Sequence, residues 1–286
     1  MAAAPTLLQT PEALTAWAAA ARADGATIGL VPTMGFLHAG HASLMARLRP
    51  QCDRLVVSVY VNPLQFGPNE DLARYPRDPE GDVRLCAEQG VDAVFLPDDL
   101  YPEGFCTSVS VHGLTDGLCG ASRPGHFEGV ATVCARLFGL SRADLAVFGE
   151  KDFQQLMVLR AMVRDLALPV RIVPAPLVRD DDGVALSSRN KYLSPEARAR
   201  ATSLHRALQA MRTASEAGER DTAALLADGL AALDCDRLDY LDIVDAQTLQ
   251  PVDELGDRPA RALVAAFYGT TRLIDNVALG PELRWT

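Results

Sequence analysis

The sequence predicts an α/β protein with a Rossmann-like, doubly wound parallel sheet and a second, smaller α+β domain at its C-terminal end. Short apolar, β-branched runs alternate with helical patterns along the first part of the chain. Such runs are typical of strands covered on both faces, and the alternation favours a parallel sheet with right-handed crossovers. The pattern changes after Val173, where Pro174 and Pro176 interrupt it and an Asp180–Gly183 turn follows.

The first region begins with an amphipathic helix that we expect to start at Thr10, its N-cap, with Pro11 in the first turn and Gly25 as its end. The strands predicted after it are Thr27–Val31, Leu55–Val61, Ala93–Leu96 and Leu145–Phe148, and the helices are Ala42–Leu48, Val83–Gln89 and Gln154–Leu166. Parallel sheets of this kind bind ligands at the carboxyl ends of their strands.

The second region combines two long helical patterns with three strand-like runs. The predicted helices are Pro195–Met211 and Thr222–Leu233, and the predicted strands are Leu238–Val244, Ala262–Tyr268 and Arg272–Ile274. We therefore divide the chain into a Rossmann-like domain, residues 1–176, and a smaller α+β domain, residues 177–286.

Bulk composition is that of an ordinary globular protein and limits the possible partners. The formal net charge of −10 argues against nucleic acid, because neutralising phosphates requires an excess of Lys and Arg. No apolar run approaches the roughly 20 residues that span a membrane. The Ala-rich start has no basic leader, and none of the six cysteines forms a CxxC pair. We expect a cytoplasmic protein with buried, unpaired thiols.

The segment Pro32–His41 directly follows the first predicted strand of the sheet and precedes a helix. Gly35 and Gly40 allow close approach of the backbone to a ligand, and His38 and His41 are spaced to face one pocket. The N-terminus of the following helix suits a phosphate group. Two histidines could instead simply cap a loop, but the strand-to-helix context favours a nucleotide.

Two segments carry less specific signals. Asn62 and Gln65 follow the next strand and are uncharged groups that can hold a carboxylate and a hydroxyl. The alternatives are that Asn62-Pro63 is an ordinary turn signal and that Gln65 lies at the surface. Arg123 and His126 lie in a glycine-rich segment that we expect to precede a helix. They could reach a ligand, and a structural role is at least as favoured.

Two later segments carry groups suited to a nucleotide. Lys151 can neutralise phosphate charge and Asp152 can hold ribose hydroxyls at a predicted strand end, and we expect Gln155 to share the helical face of Lys151. The alternative is a charged surface cluster. Ser187–Arg189 supplies two hydroxyls and an arginine, which are good phosphate ligands, beside Ser194, a predicted helix N-cap.

Six segments resemble the pantothenate synthetase family in order and spacing: PTMGFLHAGH, VNPLQFG, RPGHFEGVATV, FGEKDFQQL, LSSRNKYLS and TTRLIDN. The resemblance covers essentially the whole chain. It also places the chain among nucleotidyltransferases with a His-x-Gly-His signature, here His38 to His41, which are related in fold to class I aminoacyl-tRNA synthetases.

The resemblance implies an ATP-dependent ligase of pantothenate and coenzyme A biosynthesis. Such an enzyme condenses (R)-pantoate with β-alanine through a pantoyl-adenylate and releases AMP and pyrophosphate. It further implies Mg²⁺ with ATP, a cytoplasmic homodimer, and a smaller domain that covers the active site.

The resemblance also assigns roles to individual residues. Catalytic roles fall on His38, His41, Lys151 and Arg189. ATP contacts fall on Pro32, Thr33, Met34, Gly35, His38, Gly40, His41, Gly149, Lys151, Asp152, Val178, Leu186, Ser187, Ser188 and Arg189. Pantoate contacts fall on Met34, Asn62, Gln65 and Gln155. The magnesium candidate is Asp82, the acidic residue after the Tyr75–Arg77 turn, although Gly81 stands where some relatives carry another acid.

Two other functions remain open at this point. One is a nucleotidyltransferase of the same fold that makes a dinucleotide; the uncharged Asn62, Gln65 and Gln155 favour a small hydroxy acid instead. The other is a non-catalytic metabolite-binding protein, which would need neither Lys151 nor Arg189.

Overall fold

The computed structural model describes residues 4–68 and 70–285, which form nine strands and eight α-helices. The strands are β1 (Thr6–Leu8), β2 (Ile28–Thr33), β3 (Arg54–Val59), β4 (Ala93–Phe95), β5 (Leu145–Gly149), β6 (Arg171–Ala175), β7 (Arg237–Asp245), β8 (Ala260–Tyr268) and β9 (Thr271–Leu279). The helices are α1 (Pro11–Ala23), α2 (Ala39–Leu48), α3 (Pro79–Glu88), α4 (Leu118–Ser122), α5 (His126–Ser141), α6 (Phe153–Asp165), α7 (Pro195–Glu216) and α8 (Thr222–Ala232).

The chain divides into two compact units. The first contains the residues up to Val111 together with Arg123–Glu150 and Gln155–Pro176. The second contains His112–Ser122, Lys151–Gln154 and the chain from Leu177 onward. The side chain of Gln154 joins the two short segments within the second unit, because its amide bonds the backbone of Leu114, Gly117 and Cys119 at 2.9 Å each.

The first unit is built on a six-stranded sheet in the order β1-β4-β3-β2-β5-β6, in which every pair of neighbours is parallel. The chain proceeds from β2 to β3 on one side and resumes with β5 on the other, so β2 and β5 flank a topological switch point. Thr33 at the end of β2 pairs with Val59 of β3, and on its other side β2 pairs with β5 through Gly29 with Leu145 and Leu30 with Ala146. The predicted doubly wound sheet is confirmed.

The second unit contains a three-stranded antiparallel sheet in the order β7-β8-β9. Helices α7 and α8 bury apolar side chains against it, including Leu208, Met211 and Leu225. Strand β9 runs to Leu279, beyond the predicted end at Ile274. Polar residues interrupt its apolar pattern, but its pairing with β8 continues to the partners Leu279 and Ala260. The predicted smaller α+β fold is confirmed.

Three sequence predictions can be compared with the elements that form. Strand β6 contains Pro174, although the sequence pattern predicts an interruption at this residue. This strand lies at the edge of the sheet, where a residue without an N–H donor is tolerated. Helix α5 starts at His126, so the glycine-rich segment of Arg123 and His126 runs into the helix and does not wholly precede it. The N-caps predicted at Thr10 and Ser194 are confirmed, with oxygens that accept from Ala13 and Ala197 at 3.2 Å each.

Two remaining features bear on the predicted environment of the chain. Among the described residues, no helix combines the length and apolar character that crossing a bilayer requires. All six cysteines are unpaired thiols, and Cys86, Cys119 and Cys134 are buried as expected. Cys106 is exposed, so the expectation of burial is wrong for that residue.

Candidate active site

Two histidines cap the helix that follows β2. His38 is the N-cap of α2, and its Nδ1 accepts from the N–H of Gly40 at 3.1 Å. Nδ1 of His41 accepts in turn from the N–H of His38 at 3.3 Å, and the ring centroids are 4.2 Å apart. A neutral ring that accepts at Nδ1 carries its proton on Nε2. The capping interpretation is therefore correct, and it gives each neutral ring an Nε2–H, a donor suited to a phosphate oxygen.

The turn before His38 has an unusual backbone conformation, and the carboxylate of Asp82 binds two of its N–H groups. Gly35 and Phe36 both have positive φ, +80° and +52°. Oδ2 of Asp82 accepts from the N–H of Phe36 at 3.0 Å, and Oδ1 accepts from the N–H of Leu37 at 2.6 Å. Burial raises the pKa of Asp82, against the lowering effect of these two bonds. Asp82 thereby ties α3 to the turn that carries the histidines.

These contacts do not fit Asp82 as a direct magnesium ligand. Its residue is only 2% exposed, and both carboxylate oxygens already accept backbone N–H groups. Mg²⁺ requires oxygens arranged octahedrally around it and keeps several waters, for which a residue that is only 2% exposed leaves no space. Within residues 4–68 and 70–285, no three His, Cys, Asp or Glu side chains are grouped to hold a metal ion.

A second group of polar residues lies after β3. Nδ2 of Asn62 donates to Oε1 of Gln65 and to the carbonyl oxygen of Gly129, both at 3.0 Å. Oδ1 of Asn62 accepts from the hydroxyl of Tyr101 at 2.8 Å. Nε2 of Gln65 faces Sδ of Met34 at 3.2 Å. The network fixes which way the Gln65 amide points, with its oxygen toward Asn62 and its NH₂ group toward Met34. Three predicted pantoate residues are thus brought together.

A charged cluster holds the backbone of Gln65. Arg123 binds both carboxylate oxygens of Glu70, at 2.7 and 2.6 Å. Nη1 of Arg123 lies 3.0 Å from Nε2 of His126, whose Nδ1 lies 2.9 Å from the carbonyl oxygen of Gln65. Because Arg is a donor only, His126 accepts at Nε2 and donates from Nδ1 to Gln65. The structural role considered for Arg123 and His126 agrees with these contacts.

Gly129 permits the close packing of α5 against this segment. A Cβ atom at Gly129 would lie 2.3 Å from the carbonyl oxygen of Leu64 and 2.6 Å from the nitrogen of Gln65. Any side chain there would displace backbone, because both of these atoms belong to the main chain. The glycine therefore contributes to the position of Gln65 without touching its side chain.

Lys151 and Asp152 lie in a short 3-10 turn, Glu150–Asp152, that precedes α6. Nζ of Lys151 is 3.5 Å from Oδ2 of Asp152, and the carbonyl oxygen of Lys151 accepts from Nδ2 of Asn276 at 2.9 Å. Gln155 belongs to α6, so the predicted helical face shared by Lys151 and Gln155 is wrong. Asn276 is a contact that sequence reasoning missed, because β9 extends further than predicted.

The predicted phosphate loop of the second unit follows a short hairpin. The N–H of Leu186 donates to the carbonyl oxygen of Val178 at 3.0 Å, so these two predicted ATP contacts are neighbours. Oγ of Ser187 accepts from the N–H of Arg189 at 3.3 Å and caps the 3-10 helix Ser188–Tyr192. The hairpin is fixed by Arg179, which binds both oxygens of the Asp275 carboxylate at 2.6 and 2.9 Å.

The predicted site residues are divided between the two units. The first unit carries Pro32, Thr33, Met34, Gly35, His38, Gly40, His41, Asn62, Gln65, Asp82, Gly149 and Gln155, and the second carries Lys151, Asp152, Val178, Leu186, Ser187, Ser188 and Arg189. In the first unit the histidine turn, the Asn62–Gln65 segment and Gly149 all lie where strands end at one edge of the sheet.

The first unit therefore has the architecture of a nucleotide-binding α/β enzyme with a His-x-Gly-His turn beside the switch point of a parallel sheet. A family model described as pantoate-beta-alanine ligase matches residues 6–278. Pantothenate synthetase from Moorella thermoacetica is 53% identical over 278 residues, which cover 96% of this chain and 98% of that protein. The corresponding enzyme from Myxococcus xanthus is 50% identical over 285 residues, 98% of each chain.

Solved structures agree with this assignment. Pantothenate synthetase from Thermus thermophilus has a TM-score of 0.90 at 49% identity, covering 96% of this chain and 100% of that one. The Francisella tularensis pantoate-beta-alanine ligase, complexed with beta-gamma ATP and beta-alanine, has a TM-score of 0.79 at 30% identity, covering 96% and 97%. The chain belongs to the pantoate-beta-alanine ligase family. It is a ligase that condenses pantoate with β-alanine, as the sequence resemblance implied.

Proposed function

We propose that the condensation proceeds in two steps through an acyl-adenylate. The carboxylate oxygen of (R)-pantoate attacks the α-phosphorus of ATP, which forms the acyl-phosphate bond and expels pyrophosphate. The amine of β-alanine then attacks the acyl carbon, forms the amide of pantothenate, loses a proton and expels AMP. The observation that carries the proposal is the histidine turn, in which capping through Nδ1 leaves Nε2 of both neutral rings as the protonated nitrogen.

The two histidines suit the first step. Phosphoryl transfer asks a protein mainly for positioning and for stabilisation of the charge on the equatorial oxygens. Two Nε2–H donors at a helix N-terminus supply both, because the helix dipole adds partial positive charge there. Neither ring needs to act as a base, since pantoate is already ionised at neutral pH.

Pantoate binding is proposed for Met34, Asn62, Gln65 and Gln155. The NH₂ group of Gln65 is the natural donor to the pantoate carboxylate or hydroxyl, because its amide oxygen is bonded to Asn62. A neutral amide orients the carboxylate without neutralising it, so the oxygen that attacks phosphorus keeps its charge. Asn62 also orients the Gln65 amide toward the substrate through this bond.

ATP binding is proposed for residues of both units. Within the first unit these are Pro32, Thr33, Met34, Gly35, His38, Gly40, His41 and Gly149, and within the second they are Lys151, Asp152, Val178, Leu186, Ser187, Ser188 and Arg189. Lys151 and Arg189 would neutralise phosphate charge, and the two serines would donate to phosphate oxygens. Asp152 and Gly149 are proposed to contact the ribose. The support is the sequence resemblance and the Francisella ligase, whose solved structure is a complex with beta-gamma ATP.

Magnesium is proposed to arrive with ATP, held through the phosphate oxygens, where it would neutralise the pyrophosphate leaving group. Binding through substrate phosphates does not require a cluster of protein carboxylates. The cytoplasmic location, the homodimer and the division of the chain at residues 176 and 177 stay predictions.

An omission experiment tests the proposal. ATP, pantoate and β-alanine together should release AMP, and omission of any one of them should abolish that release. Pantoate replaced by a phosphate-bearing acceptor should release no pyrophosphate. Pyrophosphate release with that acceptor, together with none from pantoate, would support the dinucleotide-forming alternative instead.

A further inference from the structure

The turn that presents the two histidines is unfavourable in isolation. Gly35 has φ +80° and is followed by Phe36 at φ +52°, a conformation that costs free energy for a residue with a Cβ. A turn in this region of backbone space persists only when its surroundings hold it. Thr33 anchors one end, since its Oγ1 donates to the carbonyl oxygen of Ser58 at 2.7 Å and accepts from the N–H of Gly35 at 3.2 Å.

Asp82 holds the other end of the turn. Its two oxygens take the N–H groups of consecutive residues, Phe36 and Leu37, so a single carboxylate binds both amides. A Cβ atom at Gly35 would lie 3.0 Å from Oδ2 of Asp82 and 2.8 Å from Cγ1 of Val59, which shows how closely the carboxylate approaches the turn. Leu37 immediately precedes His38, so the contact lies one residue from the first histidine.

We propose that Asp82 is a positioning residue for the adenylation step, which fixes the Gly35–Leu37 turn and thereby the place of His38 and His41, and that it is not a magnesium ligand. This proposal rests on the proposed function of the two histidines. Charged hydrogen bonds to backbone N–H groups are stronger than neutral ones, so the carboxylate form suits this role. Displacement of a catalytic group by about 1 Å can cost about 10²-fold in rate.

The test compares Asp82→Asn with Asp78→Asn. Asn at position 82 keeps the shape of the side chain but has one acceptor oxygen, so one of the two turn amides faces an NH₂ group. Asp78 is exposed and caps the same helix through the N–H of Gly81 at 3.0 Å, a contact that Asn also makes. The control therefore removes the same charge from the same helix without touching the turn.

Two readouts separate positioning from metal binding. Adenylate formation in Asp82→Asn should fall about 10²-fold at saturating Mg²⁺, the scale of a misplaced catalytic group, with no change in the Mg²⁺ concentration that gives half the maximal rate. In Asp78→Asn the rate should be close to that of the unaltered chain. A rate in Asp82→Asn that recovers as Mg²⁺ is raised would identify a metal ligand and overturn the proposal.

Hydrogen exchange tests the same contact without any substrate. The amides of Phe36 and Leu37 in the unaltered chain should exchange more slowly than exposed loop amides, and Asp82→Asn should accelerate both. Unprotected amides in the unaltered chain would overturn the proposal even if the variant fails to fold. Gly35→Ala, which disturbs the contact from the other side, should reproduce the faster exchange. If the chain forms no adenylate at all, the proposed function fails while the exchange measurement still decides the role of Asp82.

Discussion

Nδ2 of Asn62 donates to Oε1 of Gln65 across 3.0 Å, and Asn62 is only 1% exposed. The hydroxyl of Tyr101 in turn bonds Oδ1 of Asn62, so the orientation of the Asn62 amide is itself determined. These hydrogen bonds connect Tyr101, which nothing in the sequence singles out, to the amide of Gln65, which is proposed to hold pantoate.

Substitution of Asn62 by Ala should raise KM for pantoate by about tenfold to a hundredfold. The reason is that Gln65 loses the partner that orients it, and an unsatisfied buried polar group costs about 1–3 kcal/mol, with about 1.4 kcal/mol for each tenfold. Steady-state kinetics with pantoate varied would measure the change. Tyr101→Phe should cause a smaller increase, because the bond from Asn62 to Gln65 survives. An increase confined to KM for ATP would contradict the assignment.

The ion pair between Arg123 and Glu70 should contribute to stability in a pH-dependent way. Burial raises the pKa of Glu70, but the hydrogen bonds and charge of Arg123 outweigh burial and leave the pKa below its ordinary value. A depressed pKa in the folded state means that the stabilisation is complete above the ordinary pKa of about 4.3 and is lost as pH falls through the folded value. Glu70→Gln should therefore be less stable than the unaltered chain at neutral pH and equally stable in acid.

Urea unfolding at a series of pH values measures this difference. Glu80→Gln is the matched control, because Glu80 is 92% exposed in its side chain and lies 3.9 Å from Arg84, an arrangement that contributes little. A deficit for Glu70→Gln that stays constant from neutral pH into acid would show that the ion pair is not its cause.

The sequence identified the parts of the site that lie within one short segment, and it missed those that depend on distant contacts. His38 and His41 are three residues apart and cap one helix, so motif and local structure coincide. The contacts of Tyr101 with Asn62 and of Arg123 with Glu70 join residues 39 and 53 positions apart. Periodicity and turn chemistry report only on neighbours in the chain, and they contain no signal for such pairs.

For Asp82 too, the sequence contains no signal for the long-range contacts that determine what the side chain binds. An acidic residue after the Tyr75–Arg77 turn suggested a metal ligand, since carboxylates are the usual ligands of Mg²⁺. The turn amides that occupy its oxygens lie 46 and 45 positions away along the chain. Residue type alone suggests a metal ligand, and only the fold shows which donors the carboxylate meets.

Substitution of His41 by Ala should lower the rate of adenylate formation by about 10²-fold or more, the usual effect of losing one preorganised donor to developing charge. Pyrophosphate release under single-turnover conditions would measure it. His112, an exposed histidine remote in sequence from the turn, provides the control, and His112→Ala should retain its activity. Near-normal turnover in His41→Ala would remove this histidine from the mechanism.

Substitution of Lys151 by Ala should separate the two half-reactions. Negative charge develops on the phosphates while pantoate displaces pyrophosphate, and Lys151 is proposed to neutralise it. Attack by β-alanine on a preformed adenylate instead changes the charge at the acyl carbon, so it requires less stabilisation of negative charge on the phosphates. The variant should therefore slow the first step much more than the second, and Lys151→Arg, which keeps the charge, should slow the first step less.

Single-turnover mixing with ATP radiolabelled at its α-phosphate would resolve the steps. In the unaltered chain, labelled acyl-adenylate should accumulate with pantoate alone and convert to AMP once β-alanine is added. Label that stays in ATP until β-alanine arrives would refute the stepwise route. Adenylate formed with another carboxylic acid but not with pantoate would refute the substrate assignment and preserve the chemistry.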